Sequence, residues 1–103
     1  MNTLVCRLAV AVLSLIAMIE PATAAKVRDP ASPTILLTGS NRGVGLALAT
    51  EFAAQGWNVI ATTRTAQKAK DLKALAAANP KVIIEQLDVT DVRQIRKLAA
   101  KYK

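Results

Sequence analysis

The chain has 103 residues, of which 52% are hydrophobic and only 3% aromatic, and its formal net charge at pH 7 is +7. This composition excludes a disordered or collagen-like chain and is typical of a core built from aliphatic side chains. Histidine is absent and the only cysteine is Cys6. Beyond the first residues we therefore predict neither a disulfide nor a bound metal.

The basic charges lie mainly on predicted helices, for example at Lys70, Arg93 and Lys97. Charges in this pattern indicate solvated helix faces. No aromatic residues alternate with them, as a stacking platform for single-stranded nucleic acid would require. We therefore expect no nucleic-acid partner.

Residues 1–24 have the composition of a secretory leader. Arg7 precedes twelve uncharged and mainly apolar residues, Leu8–Ile19, and Ala22-Thr23-Ala24 fits a signal-peptide cleavage pattern. As a helix, the apolar segment would be about 18 Å long, against about 30 Å for a bilayer core. We predict a cleaved signal peptide and export. One alternative is an uncleaved membrane anchor through residues 8–19. Another is that the start codon is placed too early, so that the protein begins near Ala31 and is cytoplasmic.

After a predicted linker at residues 25–33, which contains Pro30 and Pro33, strands and helices alternate. Short apolar runs predict strands at Thr34–Leu37, Trp57–Thr62 and Val82–Leu87. The segments between and after them predict helices over Gly43–Gln55, Ala66–Ala78 and from Thr90 onward. This β-α-β-α-β-α order predicts an α/β fold with a Rossmann-type parallel sheet over residues 34–103, as in part of a doubly wound domain.

Each predicted helix has its own boundary and packing signals. Thr65 and Thr90 are the predicted N-caps of the second and third helices, and Gly56 follows the first helix as a C-terminal stop. Apolar residues recur at helical spacing. They are Val44, Leu48 and Phe52 on the first helix, Leu72 and Leu75 on the second, and Val92, Ile95, Ala99 and Tyr102 on the third.

Three of the four glycines lie in the segment "TGSNRGVG", Thr38–Gly45, between the first strand and the first helix. The start of a helix has backbone N–H groups without intrahelical partners, and these attract phosphate. Gly39 would allow a sharp exit from the strand, Gly43 a close approach of phosphate, and Gly45 close packing of the helix. We therefore predict a pyrophosphate-binding turn.

The segment "TGSNRGVG" resembles the T-G-x-x-x-G-x-G motif of the short-chain dehydrogenase/reductase family. The similarity extends through "LALATEFAAQGWNVIATTR" and "IIEQLDVTD" to cover Thr34–Lys103, and "NRG" and "LDVTD" are most similar to the carbonyl-reductase-like branch. The resemblance implies an oxidoreductase that transfers hydride between a nicotinamide dinucleotide and a carbonyl or alcohol substrate.

The family's catalytic serine and its Y-x-x-x-K pair do not occur in this sequence, and Tyr102 and Lys103 are adjacent, too close in sequence to share one helix face. We therefore predict no catalytic residue here. The chain is interpreted as the cofactor-binding part of a longer enzyme, expected to be a homo-oligomer. Alone, it is expected to be marginally stable, because its first strand would form an apolar sheet edge.

The resemblance also implies NADP(H) as the cofactor. In NAD-binding members an acidic residue ends the second strand, whereas Thr63 stands there in this chain and Arg64 follows. A guanidinium can bind a 2′-phosphate with two hydrogen bonds, and Arg42 resembles a second basic residue of NADP-preferring members. Asp88 matches the aspartate that accepts a hydrogen bond from adenine, and Val89 the residue beside the ring. The predicted cofactor-binding residues are Gly39, Ser40, Asn41, Arg42, Gly43, Val44, Gly45, Arg64, Asp88 and Val89.

Two other functions stay open from the sequence. The chain could be a non-catalytic module that binds NADP(H) for regulation. It could also be a basic exported protein that acts at anionic surfaces.

Overall fold

The computed structural model describes residues 28–103, so the predicted leader at residues 1–24 and positions 25–27 of the predicted linker lie outside this range. Three parallel strands form one sheet in the spatial order β1-β2-β3. The strands are β1 (Thr34–Leu37), β2 (Asn58–Thr63) and β3 (Val82–Gln86), and the helices are α1 (Gly43–Ala54), α2 (Lys70–Ala78) and α3 (Val92–Lys101). The predicted Rossmann-type order is confirmed, with strand limits within one residue of those expected.

The central strand β2 is buried along its whole length, whereas β1 pairs only with β2 among the described residues. The register places Leu36 opposite Ile60, and Ile60 opposite Ile83. A parallel strand covered by neighbours reads as an unbroken apolar run, as "VIA" does in β2. Leu36, on the outer strand, is 47% exposed.

Helix α1 lies close to the sheet through a stripe of small residues. Ala49 and Ala53 are buried and belong to one core cluster with Val59 and Leu72. They follow Gly45 at four-residue spacing, which places all three on one helix face. Small side chains there allow the helix axis to approach the strands closely.

The predicted apolar face of α1 is therefore only partly correct. Val44 is 77% exposed and Leu48 is 41% exposed, whereas Phe52 packs against the core and contacts Trp57 edge to face at 4.9 Å. The helix is rotated by about one residue from the predicted orientation. Its small-residue face, not its largest side chains, sets the distance to the sheet.

The second predicted helix is interrupted near its start. Ala66–Lys68 forms a short 3₁₀ turn, and α2 begins only at Lys70, after the buried Ala69. Thr65 stands at the N-cap position of the 3₁₀ turn, as predicted, but makes no side-chain capping bond, and the N-cap residue of α2 is Ala69. Leu72 is fully buried, as predicted.

The N-cap of α3 is Asp91, not Thr90 as predicted. Its carboxylate accepts hydrogen bonds from the backbone N–H groups of Arg93 and Gln94. The Thr90 hydroxyl donates to Asp88 instead. A carboxylate satisfies the first turn and also interacts favourably with the helix dipole.

The predicted apolar stripe of α3 packs differently from the expectation. Val92 and Ile95 are 57% and 41% exposed, while Leu98 is the buried residue of this helix. Tyr102 is half-buried, and its hydroxyl donates to Glu85 at 2.7 Å. The contact with the sheet is thus concentrated at the end of the helix.

Residues 29–33, within the predicted linker, are attached to the amino-terminal edge of the sheet. Asn58, at the start of β2, accepts from the Asp29 N–H at 2.7 Å and donates to the carbonyls of Asp29 and Ser32. The Lys81 ammonium binds the Asp29 carboxylate at 3.2 Å. Within residues 28–103, no helix has the length and apolar composition needed to cross a bilayer.

Candidate nucleotide-binding site

The glycine turn connects the end of β1 to the start of α1. Gly39 and Gly43 both have φ of +59°, a conformation that residues with a Cβ rarely adopt. Ser40 between them is fully buried, donates its N–H to the Thr62 carbonyl at 3.0 Å, and donates its hydroxyl to the Leu37 carbonyl. The turn is therefore fixed to both β1 and β2.

Gly45 and Gly43 differ in what a side chain would meet. A Cβ on Gly45 would lie 2.1 Å from the Gly39 carbonyl oxygen, a distance that only a backbone shift could relieve. The close packing predicted for this glycine is thus present. A Cβ on Gly43 would have no atom within 4 Å and would point into open space. Only glycine leaves that space free beside the helix start.

The N-terminus of α1 carries no side-chain cap. Arg42 is the N-cap residue in an extended conformation, and the first turn contains no acidic residue. The first N–H groups of a helix have no intrahelical partner, and the helix dipole adds partial positive charge there. These N–H groups and the dipole favour the binding of an anion at the start of α1.

An open cavity of about 680 Å³ lies in front of this helix start, at the carboxyl ends of the three strands. Its walls come from the glycine turn, from the segment after β2 and from the segment after β3. The lining residues are Thr38, Gly39, Asn41, Arg42, Gly43, Val44, Gly45, Thr63, Arg64, Thr65, Leu87 and Val89. Ligands of open α/β sheets bind at this edge, and the volume suits a small-molecule site.

Most of the predicted binding residues lie together in this cavity, and two do not line it. Those that do are Gly39, Asn41, Arg42, Gly43, Val44, Gly45, Arg64 and Val89. Ser40 is buried behind the turn and holds it in place. Asp88 lies beside the cavity, where its Oδ1 accepts from the N–H and hydroxyl of Thr90.

Charge in the site favours an anionic ligand. Arg42 and Arg64 are exposed lining residues, and none of the described lining residues is acidic. The hydrogen bonds from Thr90 lower the pKa of Asp88, and the positive charge of Arg64 lowers it further. Residues 28–103 contain no group of three side chains suited to hold a metal ion.

Residues that the sequence reasoning did not assign to the site also shape it. Thr63, where NAD-binding members have an acid, is buried, and its hydroxyl accepts from the Thr65 N–H at 3.2 Å. The Gln86 side chain accepts from the Ala66 N–H at 3.0 Å and donates to the Arg64 carbonyl. The register of β2 with β3 places Gln86 opposite Thr63. Without that register, the sequence does not show that Gln86 lies near the site.

Comparison with known proteins agrees with this geometry. The family model described as short chain dehydrogenase matches residues 33–103. Retinol dehydrogenase 13 of Mus musculus is 39% identical over 72 residues, which cover 66% of this chain and 21% of that protein. The human retinol dehydrogenase 13 is 36% identical over the same length, and 22% of it is covered. The chain thus spans about a fifth of the length of these relatives.

Solved structures show the same relationship. A short-chain dehydrogenase/reductase of Burkholderia multivorans with bound NADP is 48% identical, with a TM-score of 0.64, over 70% of this chain and 32% of that one. A short-chain dehydrogenase of Streptomyces avermitilis is 35% identical, with a TM-score of 0.63, over 71% of this chain and 26% of that one. Fold, glycine turn and family match lead to one conclusion: this chain belongs to the short-chain dehydrogenase/reductase family.

Proposed function

We propose that the chain is the NADP(H)-binding part of a short-chain oxidoreductase that acts on a carbonyl or alcohol. The observation that carries the proposal is the cavity at the carboxyl edge, which combines an uncapped helix start with two arginines and no described acidic lining residue. The Burkholderia multivorans relative, solved with NADP, supports the same cofactor.

The residues present fit a dinucleotide phosphate. The N–H groups at the start of α1 would bind the pyrophosphate, and Gly43 leaves room for it because no side chain occupies the space in front of them. Arg64 and Arg42 would bind the 2′-phosphate, since a guanidinium forms paired hydrogen bonds with phosphate oxygens. Both bonds from Thr90 go to Oδ1 of Asp88, which leaves Oδ2 for the adenine amino group.

When bound, the nicotinamide supplies or accepts the hydride. The described residues bind and orient the cofactor, and they do not supply the acid and base. Tyr102 is unsuited to that role, because burial and its hydrogen bond to Glu85 raise the pKa of its phenol well above the ordinary value and hold its proton. In the proposed enzyme the proton is transferred by residues outside this chain.

The test is a calorimetric titration of the chain with NADPH and with NADH. We expect NADPH to bind more tightly. Arg64→Ala should weaken NADPH binding by about tenfold or more, because a charge-assisted hydrogen bond contributes roughly 1.5–3 kcal/mol. Binding of NADH, which lacks the 2′-phosphate, should change little.

Arg96→Ala is the matched control, since Arg96 is also an exposed arginine but does not line the cavity. It should leave both affinities unchanged. Equal affinities of the native chain for NADPH and NADH would contradict the cofactor assignment. Absence of binding by either dinucleotide to the folded chain would contradict the proposed function as a whole.

A further inference from the structure

The pairing of β2 with β3 continues beyond the last residues of the two strands. Thr63 lies opposite Gln86, and the Leu87 N–H donates to the Thr63 carbonyl at 2.9 Å. After this bond the backbones separate. Arg64 is therefore the first residue beyond the regular ladder, at the point where a loop would gain conformational freedom.

Beyond the end of the ladder, the loop is held by the side chain of Gln86 and not by backbone pairing between strands. Its Oε1 accepts from the Ala66 N–H at 3.0 Å, and its Nε2 donates to the Arg64 carbonyl. One amide group thus binds the loop on both sides of Thr65, whose own N–H donates to the Thr63 hydroxyl. The backbone on either side of the Arg64 Cα is thus held, by the bond to the Thr63 carbonyl before it and by the bond to its own carbonyl after it.

Arg64 stands between two concave regions. It lines the cavity in front of the glycine turn, and it also lines a second groove of about 620 Å³ together with Lys68, Ile84 and Gln86. Because Arg64 borders both regions, the position of its backbone bears on how its guanidinium faces the cavity in front of the glycine turn.

We infer that Gln86 is a positioning residue that fixes the Arg64 backbone and thereby sets the preference for a cofactor with a 2′-phosphate. The inference rests on the proposed function and deepens it. Gln86 does not line the cavity in front of the glycine turn, so its effect on binding would pass through Arg64. A side chain that only stabilised the fold would affect both dinucleotides equally.

The experiment measures dissociation constants of the chain for NADPH and NADH by calorimetry. Gln86→Leu removes both hydrogen bonds at similar size. We expect NADPH binding to weaken by roughly three- to tenfold, which corresponds to the usual net contribution of a hydrogen bond. The NADH dissociation constant should stay within about twofold.

Two further variants keep the result interpretable. Gln86→Asn retains the amide but is one methylene shorter, so it cannot reach both loop groups, and it should reproduce the loss of preference if Gln86→Leu fails to fold. Gln55→Leu is the matched control, because Gln55 is an exposed glutamine at the far end of α1 whose side chain binds Glu51. It should change neither affinity.

The decisive comparison repeats Gln86→Leu in an Arg64→Ala background. If Gln86 acts through Arg64, the second substitution should produce no further loss of NADPH affinity. Additive losses would overturn the inference, as would an equal loss for NADPH and NADH or no loss at all. In those three cases native NADPH binding still supports the cofactor site, whereas failure of the native chain to bind NADPH overturns the inference and the proposed function together.

Discussion

The sheet has an amino-terminal edge, where its strands begin, and a carboxyl edge, where they end, and the polar groups at these two edges have different uses. At the amino-terminal edge, Asn58 is 1% exposed and its side chain forms hydrogen bonds with Asp29 and Ser32. The Lys81 ammonium adds bonds to the Ser32 hydroxyl and the Gly56 carbonyl. At the carboxyl edge, the start of α1 has no side-chain cap and opens onto a cavity.

This difference separates stability from binding. Buried polar groups stabilise a fold only when they are paired, and the amino-terminal edge follows that rule. Among residues 28–103 no buried side-chain nitrogen or oxygen atom lacks a hydrogen-bond partner. The carboxyl edge leaves backbone N–H groups available, which a phosphate can satisfy. Substitutions of polar side chains at the two edges should therefore produce different phenotypes, whereas Gly45 at the carboxyl edge affects stability because the turn packs directly against it.

The largest effect is expected for Gly45→Ala. The new Cβ would lie 2.1 Å from the Gly39 carbonyl oxygen, so the turn and α1 must move apart. We expect a loss of about 3 kcal/mol or more in the free energy of unfolding, measured by urea denaturation. Ala47→Ser, at an exposed position of the same helix, is the control. A native-like urea midpoint for Gly45→Ala would show that the turn is not as tightly packed as described.

The second prediction compares an asparagine-to-alanine substitution at each of the two edges. Asn58→Ala removes a buried amide and leaves backbone groups of Asp29 and Ser32 without partners, so we expect a loss of about 2–4 kcal/mol in the free energy of unfolding. Asn41→Ala, in the glycine turn, should change it by less than about 0.5 kcal/mol. Urea denaturation of both variants measures this. Similar losses would remove the distinction between the edges.

A third comparison uses two glycines with positive φ. Gly43 (+59°) and Gly56 (+83°) both have open space where a methyl group would lie, so alanine at either should cost about 1–2 kcal/mol through backbone strain. Only Gly43→Ala should also weaken NADPH binding, because its methyl group would occupy the space before the helix start. Calorimetry at a temperature where both variants are folded separates the two effects. Equal NADPH affinities would place the pyrophosphate elsewhere.

The smallest effect is pH-dependent and belongs to the amino-terminal edge. The Ala31 N–H, the Ser32 hydroxyl and the Lys81 ammonium hold the pKa of Asp29 below its ordinary value of 3.8. A lowered pKa in the folded state means that the carboxylate stabilises the fold above about pH 4 and that this stabilisation is lost as the pH falls through the folded-state pKa.

The difference in thermal midpoint between the native chain and Asp29→Asn should therefore be present at pH 7 and shrink below about pH 4. Asp88 also has a lowered pKa, but it is common to both proteins and cancels in the difference. A difference that stays constant down to about pH 2 would show that the Asp29 charge does not contribute.

The strands and the glycine turn between β1 and α1 could be predicted because they depend on local patterns. An apolar run such as "TILL", followed at once by a glycine turn, indicates a strand from its own residues, and a glycine with positive φ is required by the turn itself. The resemblance added Arg42 and Arg64, which the structure places at the same cavity. For these features, neighbouring residues contain nearly all the information.

Features that depend on packing could not be predicted in this way. The rotation of α1 follows from the contact between Gly45 and Gly39, and the exposure of Val44 is its consequence. Gln86 becomes relevant only once the register places it beside Thr63. The N-cap of α3 is Asp91 and not the predicted Thr90, whose hydroxyl binds Asp88, a tertiary detail that the sequence does not reveal.

The chain has a single tyrosine and a single tryptophan, and they lie in different parts of the molecule. Trp57 packs against Phe52 where α1 meets β2, whereas Tyr102 fastens the end of α3 to Glu85. Their optical signals therefore report on two regions without any added label. Loosening of α3 that precedes melting of the sheet would change the phenol absorbance first and leave the indole fluorescence intact, so partial unfolding can be followed in the native chain.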